Sequence, residues 1–162
     1  MKVFAVRSQT GFTLVEMMVV AVIVGIAAAL AVPNYLQWQA QYKLRQAVSE
    51  IATQLTLARM AAMNRNRGVD VAVQNSTGAV HISAVTSTSG MPVINDTPLQ
   101  PGTSVVGSPI TVSYSSLGLR TSGGTGIQTI GVCDAYSRQY AVTVLPTGKV
   151  NWSTNPSATP CP

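Results

Sequence analysis

A chain of 162 residues has room for one globular domain plus an appendage. Only 9% of its residues are charged, 46% are hydrophobic and the mean hydropathy is +0.28, which excludes an evenly soluble chain and requires that some of the apolarity be local. The formal charge of +5 falls to +3 if Lys2 and Arg7 are removed by processing, a balance that permits weak attraction to phosphates or anionic lipid without arguing for either.

The first predicted element is the run FTLVEMMVVAVIVGIAAALAV, which covers the 21 residues from Phe12 to Val32 with a single ionisable group, Glu16. At ~1.5 Å rise per residue such a helix reaches roughly 30 Å, the thickness of a bilayer's hydrocarbon core. A secretory signal has a shorter apolar region followed by a small-residue cleavage site, and a buried core helix rarely stays apolar on every face for so long. Lys2 and Arg7 precede the run, and the positive-inside tendency then keeps the N-terminus in the cytoplasm and sends the rest across. A carboxylate within this run costs on the order of 2.5–3.5 kcal/mol on insertion scales, so Glu16 calls for a reason. One reading keeps it hydrated near the cytoplasmic interface. The other pairs it with an α-amino group: if the chain is cut after Gly11, the new terminus at Phe12 lies one helical turn from Glu16, and the same amine on a neighbouring subunit is a second partner.

The string Gly11-Phe12-Thr13-Leu14-Val15-Glu16 resembles the class III leader site of type IV pilins and type II secretion pseudopilins. The resemblance implies that a prepilin peptidase cuts between Gly11 and Phe12 and methylates the new amino group, and that Glu16 takes the place of that family's glutamate at the fifth mature position. Pro33 stands where pilins carry a helix-kinking proline. The chain then divides into a leader at 1–11, a transmembrane and assembly helix at 12–40, and an outer globular domain at 41–162.

Beyond Pro33 the helical pattern continues. Leu44, Val48, Ile51, Leu55, Ala58 and Ala62 recur at steps of four and three, which places them on one helix face that needs a sheet to cover it. Arg45, Ser49, Thr56, Arg59 and Asn66 fall on the other face, and the stretch Asn64 to Gly68 reads as a stop, with Gly68 as the left-handed cap. A helix from about Phe12 to Arg67 is too long for one small domain, so its first half projects as a stalk.

After Gly68 the chain changes to short β-prone runs broken by Gly, Pro, Ser, Thr and Asn, as in an antiparallel sheet. Strands are predicted at Val69–Val73, Ala79–Val85, Ile110–Tyr114, Ile127–Val132, Tyr140–Leu145 and Lys149–Trp152, with hairpin turns at 75–78 and 146–148 and a long surface loop from Thr86 to Pro109. The fold class is therefore α+β, a long helix packed by its second half on an antiparallel sheet. Cys133 and Cys161 allow one internal connectivity and show no metal-ligand spacing, so they are read as a disulfide that ties the tail to the sheet in an oxidising compartment.

The segment from Gln54 to Arg65, followed by the β-rich remainder ending near Gly148-Lys149-Val150, resembles the GspH/FimT-type minor pilins. That resemblance implies a low-abundance subunit that helps to start filament assembly near the tip. The implied partners are other pilin subunits through the N-terminal helix, the prepilin peptidase, an ATP-driven assembly platform and the cytoplasmic membrane. Some relatives of that group bind DNA through Gly-Arg-x-Arg near the C-terminus, where this chain reads Gly148-Lys149-Val150-Asn151 with one cation of two. Arg59, Arg65, Arg67, Arg120 and Arg138 could join Lys149 in a basic patch, although solvated surface charges are the plainer reading.

Catalysis finds no foothold. His81 alternates with Val80, Ile82 and Ala84 and reads as a solvent-facing strand residue; Asp70, Asp96 and Asp134 show no ligand spacing; and the Gly123–Gly126 stretch lacks the lysine and helix of a phosphate loop. No cofactor or metal is expected. Tyr35, Trp38 and Tyr42 follow the apolar run as an interfacial aromatic belt. The functional readings are a minor pilin, a type II secretion pseudopilin, a DNA-binding pilin for uptake, and a major pilin.

Overall fold

The computed structural model describes residues 11–76, 78–153 and 161. Residues 1–10 with Lys2 and Arg7, Thr77 of the first hairpin turn, the tail at 154–160 and Pro162 lie outside the described residues, as do the side chains of Ala31 and Pro33.

Helix α1 runs from Leu14 to Asn64. It starts at Thr13, whose Oγ1 accepts the backbone N–H of Glu16 at 3.2 Å, the arrangement by which a threonine satisfies an orphan donor of the first turn. Pro33 lies within it and has no N–H to offer the carbonyl four residues back, which weakens the ladder there. No single unbroken helix among the described residues is long and apolar enough to cross a membrane; Leu14–Leu30 and Asn34–Asn64, bent at the residues between them, pass that test of length and composition only as a pair. The helix stops differently from expectation. Asn66, at φ 49°, supplies the left-handed residue that Gly68 was expected to provide. Its N–H donates to the Met63 carbonyl at 3.2 Å, while the Arg67 N–H donates to the Ala62 carbonyl at 3.1 Å, a Schellman closure. Gly68 is needed for a different reason: a Cβ there would come within 2.9 Å of Ser87 Oγ, so the glycine lets the turn at 87–91 approach the helix end.

The chain divides into two compact units, one up to Gln37 and one from Trp38 to Pro162. The first is the apolar part of α1. In the second, the described residues form eight strands in two antiparallel sheets where the sequence suggested one. They are β1 (Val69–Ser76), β2 (Ala79–Thr86), β3 (Pro92–Pro98), β4 (Thr103–Val105), β5 (Ile110–Tyr114), β6 (Gln128–Asp134), β7 (Gln139–Val144) and β8 (Val150–Ser153). One sheet has the order β3-β2-β1-β5 and the other β4-β6-β7-β8.

The helix stripe is the floor of the core: Leu44, Val48, Ile51, Leu55, Ala58 and Ala62 are all fully buried, joined by Ala47. Burial of each large member contributes about 1.5–3 kcal/mol against exposure. The strands meet the stripe through alternation. Val69, Val71 and Val73 of β1 point inward, and the register that places Val71 opposite Ala84 and Val73 opposite Ile82 keeps the inward set of β2 beside them. Val112 and Tyr114 of β5, Ile130 and Val132 of β6, and Val142 and Val144 of β7 complete the core.

The segment expected as a loop from Thr86 to Pro109 holds β3 and β4. β3 pairs with β2 through register shifts around Ala84, and β4 pairs with β6, placing Ser104 opposite Cys133. β3 has no clean inward face, being a sheet edge with prolines at both ends, while β4 buries Thr103 and Val105 but at three residues is too short for its period to show in the sequence.

Cys133 and Cys161 are joined, with Cα atoms 5.9 Å apart and a sequence separation of 28. In the chain-entropy account, closing a loop of that size stabilises the fold by about 3–4 kcal/mol. We expect Cys133→Ser to lower the thermal midpoint of the detergent-solubilised chain, and reduction of the wild type to lower it by the same amount; equal midpoints would show that the bond carries no stability.

Tyr114 generates a pH prediction. Its ring is fully buried and its hydroxyl bonds to no described residue. Burial raises its pKa from 10.0 to about 12, opposed in part by the positive charges of Arg59 and Arg120. Because the folded value lies above the unfolded one, the neutral phenol's contribution is complete below about pH 10 and is lost as the pH rises through about 12, at up to about 1.4 kcal/mol per pH unit. Tyr114→Phe should remove this alkaline loss, read as a shallower fall of the unfolding midpoint over that range, without lowering stability at neutral pH.

Candidate functional site: the assembly helix and the outer end of the domain

From Phe12 to Leu30 the large apolar side chains are 49–76% exposed, on every side of the helix. Among the described residues nothing covers this surface. A soluble protein rarely leaves a contiguous apolar patch of more than a few hundred Å² uncovered, so the segment demands an external apolar partner all round. Gly11, Phe12 and Thr13 precede the first turn, all exposed, and Glu16 lies exposed in that turn. A carboxylate there complements the partial positive charge of the helix N-terminus. The residues expected to be cut, methylated and paired thus lie together at one accessible helix end. Pro33 lies on the same helix, about four and a half turns further on.

Tyr35, Trp38 and Tyr42 follow in sequence and are all exposed, with the Trp38 and Tyr42 rings 5.9 Å apart. Further along, an open groove of about 690 Å³ runs between the outward face of α1 and β8, walled by Tyr42, Arg45, Ser49, Glu50, Thr53 and Trp152. Arg45 Nε and Gln41 Nε2 each donate to the Tyr140 hydroxyl at 3.3 Å. The hydrogen bond from Arg45 lowers the Tyr140 pKa more than burial raises it.

The basic residues do not form the single patch that the sequence allowed. Arg120 is only 6% exposed and so is not a solvated surface charge. Its guanidinium is wrapped by the glycine-rich turn, donating to the carbonyls of Ser122, Gly124 and Gly126 and to Gln128 Oε1. The physical reason is local: glycines bend the backbone so that several carbonyls converge on one cation. Arg59, expected on the outward helix face, also turns to backbone: Nε donates to the Gly118 carbonyl at 2.9 Å and NH2 to the Thr147 carbonyl at 3.0 Å. Gly148, at φ 76°, is indispensable to that contact, because a Cβ there would lie 2.0 Å from the Gly118 carbonyl oxygen. Arg138 is bound to Asp134 at 2.8 Å and lies over the Tyr136 ring. Arg65, Arg67 and Lys149 are exposed.

His81 also departs from expectation. Its side chain is 15% exposed, and Nδ1 lies 3.0 Å from Asp96 Oδ2 on the neighbouring strand. The pairing was hidden in the sequence because Asp96 belongs to β3, which lacks a strand signature. Asp134 caps the β6–β7 turn by accepting the N–H groups of Tyr136 and Arg138. Among the described residues, no group of three or more His, Cys, Asp or Glu side chains could hold a metal ion.

The family description "Prokaryotic N-terminal methylation motif" matches residues 6–32, and "Type II transport protein GspH" matches residues 47–148. A "Fimbrial protein" of Pseudomonas aeruginosa is 38% identical over 71 residues, 44% of this chain and 46% of that protein. A "Type II secretion system core protein G" of Aeromonas hydrophila is 39% identical over 79 residues, 45% of this chain and 55% of that protein. The chain spans about half the length of these curated relatives. Among solved structures, the type IV minor pilin FimU of Pseudomonas aeruginosa shares the fold, with a TM-score of 0.52 at 15% identity over 76% of this chain and 96% of that one.

Proposed function

The chain belongs to the GspH family of type II transport proteins, within the type IV pilins and pseudopilins, and from that membership we propose that it is a minor pilin of a type IV pilus that helps to begin filament assembly or occupies the tip. The observation that carries this reading is the apolar helix with no cover of its own and one carboxylate in its first turn. The work done is physical. A prepilin peptidase cuts after Gly11 and methylates Phe12, so that 1–11 is a leader, 12–40 the anchoring and assembly helix, and 41–162 the outer domain. The helix is first stored in the cytoplasmic membrane, crossing once with the N-terminus inside. An ATP-driven platform then draws it out, and the helices of other subunits replace the lipid around it. Apolar surface stays covered throughout, which removes the large cost of exposing it to water.

Glu16 sets the register. In the filament core an unpaired carboxylate is costly, and an N-terminal amine from the same or an adjacent subunit offsets much of that cost, so only registers that bring the two together are favoured. Pro33, by interrupting the helical ladder, lets the outer part of α1 adjust to packing around it. The Cys133–Cys161 bond suits a subunit exposed outside the cell, and this supports a pilus over a secretion apparatus. A pseudopilin is the second reading, favoured by the likeness to type II secretion core protein G. A DNA receptor has less support, since Arg59 and Arg120 are committed to backbone carbonyls.

Two experiments test the proposal. Glu16→Ala should leave membrane insertion intact and reduce the protein in sheared filaments, relative to membranes, by about tenfold, the effect of roughly 1.4 kcal/mol; unchanged incorporation would remove Glu16 from assembly. Gly11→Val should accumulate as the uncut precursor while Gly11→Ala is still processed, and a mature N-terminus at Phe12 in the valine variant, read by mass spectrometry, would refute the cleavage site.

A further inference from the structure

Four chain segments converge at the end of the globular unit where α1 stops. Ser87 donates its N–H to the Gly68 carbonyl at 2.9 Å, bringing the β2–β3 turn to the helix end. The Ser115–Gly118 turn packs on the last turns of α1, where a Cβ on Gly118 would lie 2.7 Å from Met63 Sδ. The β7–β8 turn joins through the Arg59 bond to Thr147 and through the Arg120 N–H, which donates to the Pro146 carbonyl at 3.1 Å.

Residues 60–67, 87–91, 115–119 and 146–149 contain no acid and no aromatic ring. They do contain Met60, Met63, Met91, Leu117 and Leu119, exposed from 41% at Met63 to 74% at Leu117. They also carry Arg65, Arg67 and Lys149, all exposed. Among the described residues the ion pairs are His81–Asp96 and Arg138–Asp134, so these three cations have no carboxylate of their own. The nearest acid in sequence, Asp70, is half-buried on β1, between the inward-facing Val69 and Val71 and so on the opposite face of the strand. Two cations that could have joined them, Arg59 and Arg120, are satisfied by backbone.

We propose that this end of the domain is a docking surface for another protein, an amphipathic segment that presents apolar side chains flanked by carboxylates. Methionine is the side chain that adapts to varied apolar partners, and three of the chain's six lie here. The rim carries one sign of charge, so a partner of opposite sign is attracted and one of like sign is rejected. Single-stranded nucleic acid, the other polyanion a basic rim would attract, is held by stacking on aromatic rings, and these segments offer none while presenting five apolar side chains with no role in such binding. The surface lies outside the apolar helix, so the inference stands apart from the assembly role proposed for Glu16.

The test uses the full chain in nanodiscs of zwitterionic lipid and two synthetic helical peptides with leucine along one face, one bearing glutamates on the other face and one bearing lysines. The glutamate peptide should bind saturably and slow hydrogen peroxide oxidation of Met63 and Met91, read by mass spectrometry, while the lysine peptide does neither. Arg65→Glu with Arg67→Glu should weaken the glutamate peptide by about tenfold or more and allow the lysine peptide to bind. Equal binding of both peptides, or affinity unchanged by the charge reversal, would overturn the proposal. So would protection of the two methionines by anionic vesicles or duplex DNA in place of the glutamate peptide. Separate circular dichroism of the double variant distinguishes a lost surface from a lost fold, and Leu117→Asp supplies a second variant on a turn outside the core.

Discussion

An apolar helix that its own chain leaves bare is the constraint around which this protein is organised. From Phe12 to Leu30 the side chains that would form the core of a soluble protein face outward on all sides. Water is a costly surrounding for this surface, and under the proposed role the subunit keeps it in lipid or against other helices. Reversible transfer between those two settings is feasible because both are apolar and exchange one cover for another, so the net free energy is far smaller than either burial alone. Under the proposed role, the single carboxylate gives an otherwise featureless rod a preferred position, because in apolar surroundings it is tolerated only where a positive group meets it.

The second half of the same helix solves a different problem with the same geometry. Its apolar residues are confined to one stripe, which two small sheets cover, so that part of α1 belongs to a globular unit while the first part does not. The transition falls within α1. It follows from where the polar residues begin to alternate with apolar ones. Far along, the domain is closed by cations used as fasteners: Arg59 ties two turns to the helix, and Arg120 gathers the glycine-rich turn around itself. A buried guanidinium with several carbonyl partners is acceptable where a bare one would not be. This explains why a chain with so few charges places some of them inside.

Membership of the GspH family and the pilin-like fold account for the architecture, and neither fixes the subunit's place in a filament. That place depends on surfaces. The apolar helix carries little beyond its one carboxylate to tell one neighbour from another, whereas the methionine- and cation-bearing end of the domain combines exposed apolar side chains with one sign of charge. Specificity of position is therefore to be sought in the loops at that end, which the fold holds rigidly through backbone contacts while leaving their side chains outward.

The amino-acid sequence alone determined the helix, its apolar half, its inward stripe from Leu44 to Ala62, the odd position of Glu16 and the pairing of Cys133 with Cys161. Each of these follows from local periodicity, from uninterrupted hydrophobicity or from there being one available connectivity. It also located six of the eight described strands, because each is a short β-prone run bounded by turn residues, and in β1 and β2 inward and outward residues alternate as well. What only the tertiary structure decided are the features whose partners are distant in sequence. β3 and β4 exist because β2 and β6 offer them edges. Asn66 rather than Gly68 takes the left-handed position because Gly68 must admit Ser87. Arg59 and Arg120 turn inward because carbonyls from remote turns converge on them, and His81 finds Asp96 across a strand pair. A periodic pattern reports which face of an element avoids water, but it carries no record of which other segment will arrive there to supply hydrogen bonds.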